Sequence, residues 1–151
     1  MTATTPMSER TVFQSIPQRH VLTVLPQASV RDAACAMTRL NCGSVLVMEP
    51  PDVLLGILTE RDLMTRVLAK GLDPDATTAR EVMTAKPICV PPDMRISDAL
   101  VIMLERGFRH LPIVQGTRIF GVFSIRDALP RELGTAFEIS EFNEQINDAL
   151  G

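Results

Sequence analysis

The sequence has no tryptophan and no tyrosine, and its aromatic content rests on six phenylalanines. A core made from such a chain must rely on Val, Leu, Ile, Ala and Met, the mix that layered α/β packing uses. The three cysteines, Cys35, Cys42 and Cys89, form no C-x-x-C pair, and an odd number is a poor disulfide framework. Each is expected to be a small buried hydrophobe. Only two histidines are present, His20 and His110, far apart in the chain, so no structural zinc site is expected. A reducing cytoplasm is the expected compartment. Positive charge is not in excess either. With 15 Lys and Arg against 18 Asp and Glu, the net charge of −3 lacks the basic footprint of a general nucleic-acid binder. A local basic cluster could still hold a phosphate. No apolar stretch reaches the roughly 18 residues that signal a membrane span. No basic segment followed by an apolar run opens the chain, so no secretory signal is expected. Finally, there is no Ser-His-Asp or Cys-His set, no metal cluster and no Walker-type glycine loop, so catalysis is not expected.

What is present is a chain of 151 residues, 46% hydrophobic and 22% charged, enough for one compact domain or two small interdependent halves. The chain is written twice. Val24–Met48 aligns without gaps on Val90–Val114, placing Pro26 on Pro92, Asp32 on Asp98, Ala33 on Ala99 and Met37 on Met103. Gly56–Met64 aligns on Gly121–Leu129, placing Thr59 on Ser124, Arg61 on Arg126 and Asp62 on Asp127. One residue is lost between the two blocks, in the loop where Glu49–Asp52 faces Gln115–Thr117.

Each copy has one coarse pattern. A short apolar strand, Val21–Val24 or Ile88–Val90, runs into a proline turn. A helix follows, with an apolar stripe at Val30, Ala33, Ala34, Met37 and Leu40, and in the second copy at Ile96, Ala99, Leu100 and Met103. Ser29 and Asp32 form a capping pair for the first helix, and Gly107 suits the left-handed residue that ends the second. Two nearly continuous apolar strands come next, Val45–Met48 with Leu54–Leu58 and Leu111–Val114 with Ile119–Phe123, as expected of strands covered on both faces. Second helices open at Thr59 and Ser124. The expected fold is therefore α/β, two β-α-β-β-α repeats. The expected division is a flexible N-terminal segment over 1–11, repeat 1 over 12–70, a turn-rich linker over 71–80, repeat 2 over 81–130 and an amphipathic C-terminal helix over 131–151. Thr78 and Glu81 fit a capping box ahead of Val82–Thr84. Ile139, Phe142, Ile146 and Ala149 give the tail its apolar face.

The signatures Gly56-Ile-Leu-Thr-Glu-Arg-Asp62 and Gly121-Val-Phe-Ser-Ile-Arg-Asp127 resemble the glycine, two apolar, Thr/Ser, two variable, Asp motif of cystathionine-β-synthase (CBS) domains. Glu81–Thr84 resembles the segment that introduces the second domain of a CBS pair, Arg109–Pro112 is similar to a central strand of bacterial members, and Phe137–Ile139 is similar to small stand-alone members. The resemblance covers residues 12 to 130 and extends more weakly into the tail. It implies repeats packed about a pseudo-twofold axis, a homodimer, and clefts for an adenosine ligand: AMP first, then ADP, ATP or NAD, with S-adenosylmethionine as an alternative. It implies a regulatory role toward an effector protein, with a ligand-free dimerisation or docking scaffold as the other reading.

The motif residues suit that chemistry, though not uniquely. The Asp62 and Asp127 carboxylates can accept hydrogen bonds from ribose hydroxyls, and the Thr59 and Ser124 hydroxyls at helix starts suit a phosphate or ribose oxygen. The same Thr-x-x-Asp and Ser-x-x-Asp spacing is also an ordinary helix cap. Gly56 and Gly121 allow close approach of a ligand or of a neighbouring strand. Arg109 and His110 fall where the first copy has Gly43 and Ser44, and so make the copies unequal in charge. Arg109 can grip a phosphate and His110 can donate to one; a solvated Arg beside a core-edge His is the structural reading. The resemblance implies that Asp62 shares its cleft with Pro87, Ile88, Arg109 and His110. It implies that Asp127 shares the other cleft with Val21, Leu22 and Ser44. Arg61 and Arg126 either reach phosphate or line an exposed helix side. Arg66 and Lys70 are expected to be solvated helix-face charges.

Overall fold

The computed structural model describes residues 10–17, 21–128 and 146. The N-terminal segment expected over 1–11 lies outside them but for Arg10 and Thr11, as does the C-terminal helix expected over 131–151 but for Ile146. The chain divides into two compact units, one of Met1–Arg19 with Ile88–Gly151 and the other of His20–Pro87.

The unit His20–Pro87 holds a four-stranded sheet. Its order is β1 (Thr23–Val24), β2 (Ser44–Glu49), β3 (Val53–Thr59), β4 (Thr84–Ala85), with β1 parallel to β2 and the other pairs antiparallel. Between β1 and β2 runs α2 (Val30–Leu40), which follows α1 (Val12–Ser15) of the other unit in chain order. Ser29 starts α2 as expected, its Oγ accepting from the Asp32 amide at 3.1 Å. Val30, Ala33 and Met37 are buried, while Leu40, expected to extend the stripe, is half exposed. Asn41 ends the helix in the left-handed conformation at φ 53°, one of the few side chains that tolerate it.

The other unit repeats the plan. It contains α5 (Ile96–Arg106), β5 (His110–Gln115) and β6 (Arg118–Ser124). Ile96, Ala99 and Met103 are buried, and Gly107 ends α5 at φ 74°. Its position is that of Asn41 in the first copy. Both hairpins carry an irregularity in register at the same place, between Val47 and Met48 and between Ile113 and Val114. The expected strand Ile88–Val90 shrinks to a single parallel bridge, Val90 to Ile113. Pro87 and Pro91 flank it, and neither can donate to a ladder. Likewise Val21–Val24 narrows to Thr23–Val24.

Chain order and packing part company at the short helices. Ala79 and Val82 of α4 (Ala79–Val82) are buried in the first unit's core with Val30, Ala33, Met37, Val45, Val47, Leu58 and Val67. Val12 of α1 and Ile16 are buried with Val90, Ile96, Met103, Leu111, Ile113 and Phe123 of the second copy, against which Ile146 also packs. Their bonds correspond one for one. Val30 N donates to Thr77 O as Ile96 N does to Arg10 O, both at 2.9 Å; Ala79 N donates to Ala28 O as Val12 N does to Met94 O, both at 2.8 Å. Thus the segment preceding each copy packs with the opposite copy.

The expected capping box at α4 does not form. Thr78 has the extended N-cap backbone but its side chain makes no cap bond; the Glu81 amide that the box would serve donates to the Thr78 carbonyl at 3.1 Å. Thr11 and Gln14 of α1 form a complete box instead. The cysteines also differ from expectation: Cys35 and Cys89 are exposed and Cys42 is half-buried. Cys35 lies off the Val30, Ala33, Met37 stripe, on the outer side of α2. Among the described residues, no helix is long and apolar enough to cross a membrane, and no group of three His, Cys, Asp or Glu side chains could hold a metal.

Candidate functional site

In the first unit the signature lies at the end of the β2–β3 hairpin. Ser44 is the register partner of Thr59, and the Glu60 amide donates to Gly43 O at 3.1 Å. Thr59 leaves β3 in an extended conformation and caps α3 (Glu60–Asp62). The box is reciprocal: the Asp62 amide donates to Thr59 Oγ1 at 3.2 Å, and the Thr59 amide donates to Asp62 Oδ2 at 3.0 Å. The capping reading therefore holds here. It does not exhaust Asp62, whose two oxygens offer about four acceptor sites. Its Oδ1 lies 3.6 Å from Arg66 Nε.

The second copy places the same parts on the β5–β6 hairpin. His110 is the register partner of Ser124, and the Ile125 amide donates to Arg109 O at 3.1 Å. The Ser124 amide and the Ser124 hydroxyl both donate to Asp127 Oδ2, at 2.8 and 3.1 Å. The hydroxyl is thus committed to the carboxylate, and Ile125–Ala128 winds as a tighter 3₁₀ turn rather than an α-helix.

The copies differ in electrostatics as their sequences require. Arg109 Nε is buried with no hydrogen-bond partner among the described residues. Burial, with the nearby Arg109 and Arg126 guanidinium groups adding like-charge repulsion, lowers His110 to about 4. The imidazole is therefore neutral at physiological pH and sits among fixed positive charge. A buried donor without an acceptor is costly, and an anion is the natural group to satisfy it. Arg126 and Arg61 are both exposed.

Of the remaining predicted residues, Leu22 packs against the first unit's core and its carbonyl accepts from the Leu46 amide at 3.0 Å. Val21 is half-buried, Pro87 closes the first unit, and Ile88 packs against the second unit's core. The first unit so contains Val21, Leu22, Ser44, Thr59, Arg61, Asp62 and Pro87, and the second Ile88, Arg109, His110, Ser124, Arg126 and Asp127. Gly56 answers to its neighbouring strand. A Cβ there would lie 2.6 Å from Met83 Sδ and 2.7 Å from Thr84 O of β4. Arg66, expected to be a solvated charge, donates to Val82 O at 3.1 Å and Met83 O at 3.0 Å. Its spacing of four from Asp62 on one helical run was the available signal.

Two copies of one α/β repeat, each ending its hairpin in a hydroxyl–carboxylate turn, define a tandem-repeat module of the CBS type. Comparison with known proteins gives the family: a CBS domain model matches residues 13–69 and 79–133. The chain belongs to the CBS-domain family. It is 36% identical over 130 residues to the CBS domain-containing protein YhcV of Bacillus subtilis, covering 86% of each chain. It is 32% identical over 136 residues to an uncharacterized protein of Methanopyrus kandleri, covering 89% of this chain and 69% of that one. Of a larger Arabidopsis thaliana relative, CBS domain-containing protein CBSCBSPB2, it spans 22% of the length at 36% identity over 121 residues, 80% of this chain. Among solved structures, a protein with CBS domains from Burkholderia ambifaria superposes with a TM-score of 0.75 at 30% identity, covering 83% of this chain and 96% of that one. The fold is shared at 24% identity by a CBS domain protein from Pyrobaculum aerophilum complexed with AMP, TM-score 0.71, covering 87% and 99%.

Proposed function

We propose that this chain is a regulatory module that binds an adenine nucleotide, AMP before ADP, ATP or NAD, and acts in the cytoplasm on an effector protein. Asp62, with Thr59, accepts from ribose hydroxyls. Arg109, His110 and Arg126 supply the phosphate contacts, with Pro87 and Ile88 as apolar neighbours of the ligand. Val21, Leu22, Ser44, Ser124 and Asp127 serve the second, less basic set, and Arg61 is the remaining cation of the first. The observation that carries this reading is Arg109: a buried guanidinium nitrogen lacking an acceptor beside a neutral histidine and a second arginine. The AMP complex of the Pyrobaculum aerophilum protein puts AMP first among ligands to test.

The test is a thermal-shift panel with AMP, ADP, ATP, NAD, NADH and S-adenosylmethionine. A ligand at about 100 times its Kd stabilises the native state by about 2.7 kcal/mol, a rise of several degrees for a chain of this size. One adenine ligand should give this rise, and Asp62→Ala should remove it. A rise that survives in Asp62→Ala but disappears in Asp127→Ala would reassign the ribose contact to the second copy. No rise with any ligand would support the scaffold reading.

Exposed apolar side chains favour self-association alongside ligand binding. Met64 and Leu68 are 57% and 78% exposed, and Val101 and Leu104 of α5 are 51% and 56% exposed. A homodimer covering them is expected in light scattering, and Val101→Glu with Leu104→Glu should yield a monomer.

A further inference from the structure

Arg66 reaches both the signature carboxylate and the segment through which the chain leaves the first unit. Its Nε lies 3.6 Å from Asp62 Oδ1, while its Nη1 donates to the carbonyls of Val82 and Met83 at 3.1 and 3.0 Å. Those carbonyls close the short helix α4, whose last C=O groups have no partner within the helix. Immediately beyond, β4 pairs through Thr84 and Ala85 with Ile57 and Gly56. Lys86 follows in the left-handed conformation at φ 49°, its amide donating to Leu55 O at 3.2 Å. The chain then leaves the unit at Pro87. Arg66 itself rides on Leu63–Leu68, which is wound as a π-helical turn, a rare winding that is frequent at functional sites.

We propose that Arg66 is a positioning residue that couples the Asp62 carboxylate to the 82–86 segment, so that a ligand hydroxyl donating to Asp62 Oδ1 competes with Arg66 and loosens the chain leading to the second copy. The coupling follows from one planar fork serving two acceptor groups: Nε faces the carboxylate and Nη1 the two carbonyls. A ribose hydroxyl donating to Oδ1 draws on the same negative charge that faces Nε, and so weakens the attraction that holds the guanidinium in this position. This inference rests on the nucleotide reading through Asp62, and adds to it the route by which occupancy is communicated.

Amide hydrogen exchange over 83–86, measured on the full chain with and without AMP, tests it together with Arg66→Ala and Arg66→Lys. Without AMP, Arg66→Ala should exchange about tenfold faster at Thr84 and Lys86 than the wild type, the loss expected for a charge-assisted hydrogen bond. AMP should accelerate exchange there in the wild type and produce no further change in Arg66→Ala. Arg66→Lys should recover part of the protection, since an ammonium group can still donate to the carbonyls. It should remain unresponsive to AMP, since it lacks the fork. An AMP response in Arg66→Ala equal to that of the wild type overturns the proposal. So does an unchanged 83–86 segment in a wild type whose melting temperature AMP raises through Asp62; the nucleotide reading then stands without the relay. If no adenine ligand raises the melting temperature, the nucleotide reading fails and the relay with it.

Discussion

At the scale of single residues, His110 shows how a duplicated framework acquires a specialised end. Ser44 and His110 occupy the same register position, each opposite the hydroxyl residue of its hairpin. Only the second carries an ionisable ring, and only there do two arginines press on it. Because its native pKa of about 4 lies below the ordinary 6.5, the unfolded chain binds a proton over that interval that the native state refuses. Stability from this group is therefore complete above about pH 6.5 and is lost as pH falls toward about 4. Urea midpoints measured across that range should decline in the wild type and decline less in His110→Asn. Arg109 and Arg126 contribute to the depression, so a phosphate that neutralises them should move His110 upward. Imidazole NMR titrations with and without AMP should show that movement at His110.

At the scale of elements, the conspicuous joint is between β3 and β4. Gly56→Ala would drive a methyl group against Met83 Sδ and the Thr84 carbonyl. The sulfur can swing aside, but the backbone oxygen belongs to a paired strand. A loss of about 1–3 kcal/mol is expected, read as a lower denaturant midpoint with an unchanged m value. At Gly121 a Cβ would meet the tip of the Ile16 side chain at 2.7 Å, and the backbone itself, at φ 156°, disfavours any other residue. These joints also mark what the sequence could convey. The hairpins, the α2 and α5 stripes and the Ser29, Thr59 and Gly107 ends were legible because periodicity and capping are written in neighbouring residues. The failed box at Thr78 was not. Its spacing matches that of Thr11 and Gln14, yet the Glu81 amide donates to the Thr78 carbonyl and not to the hydroxyl. Nor did the motif distinguish Thr59, whose hydroxyl accepts from its partner's amide, from Ser124, whose hydroxyl donates to its partner's carboxylate. That difference belongs to the turn beneath them, α-helical in one copy and 3₁₀ in the other. The position of Arg66 likewise required knowing where β4 returns.

At the scale of the whole molecule, sequence repeats and folding units are not the same pieces of chain. The family model delimits its first match at 13–69, yet the first unit's core needs Ala79 and Val82, which are 0% and 4% exposed. A fragment of residues 20–87 should therefore unfold cooperatively in circular-dichroism melts, whereas a fragment of residues 13–69 should not. The second copy should behave in the same way: residues 79–133 lack Val12 and Ile16, both buried against its core, and adding α1 as a separate peptide should raise the fragment's melting temperature.

The placement of α1 also has a consequence in time. During synthesis the His20–Pro87 unit is contiguous and can close as soon as Pro87 has emerged. Val12 and Ile16 are made earlier but are buried against residues 90–128, so their apolar side chains must wait unsatisfied until β6 has left the ribosome. Premature chain ends between residues 88 and 110 would leave that segment orphaned while the first unit is already complete. Such truncated chains should be distinguishable from shorter and longer ones by the aggregation of an otherwise folded half.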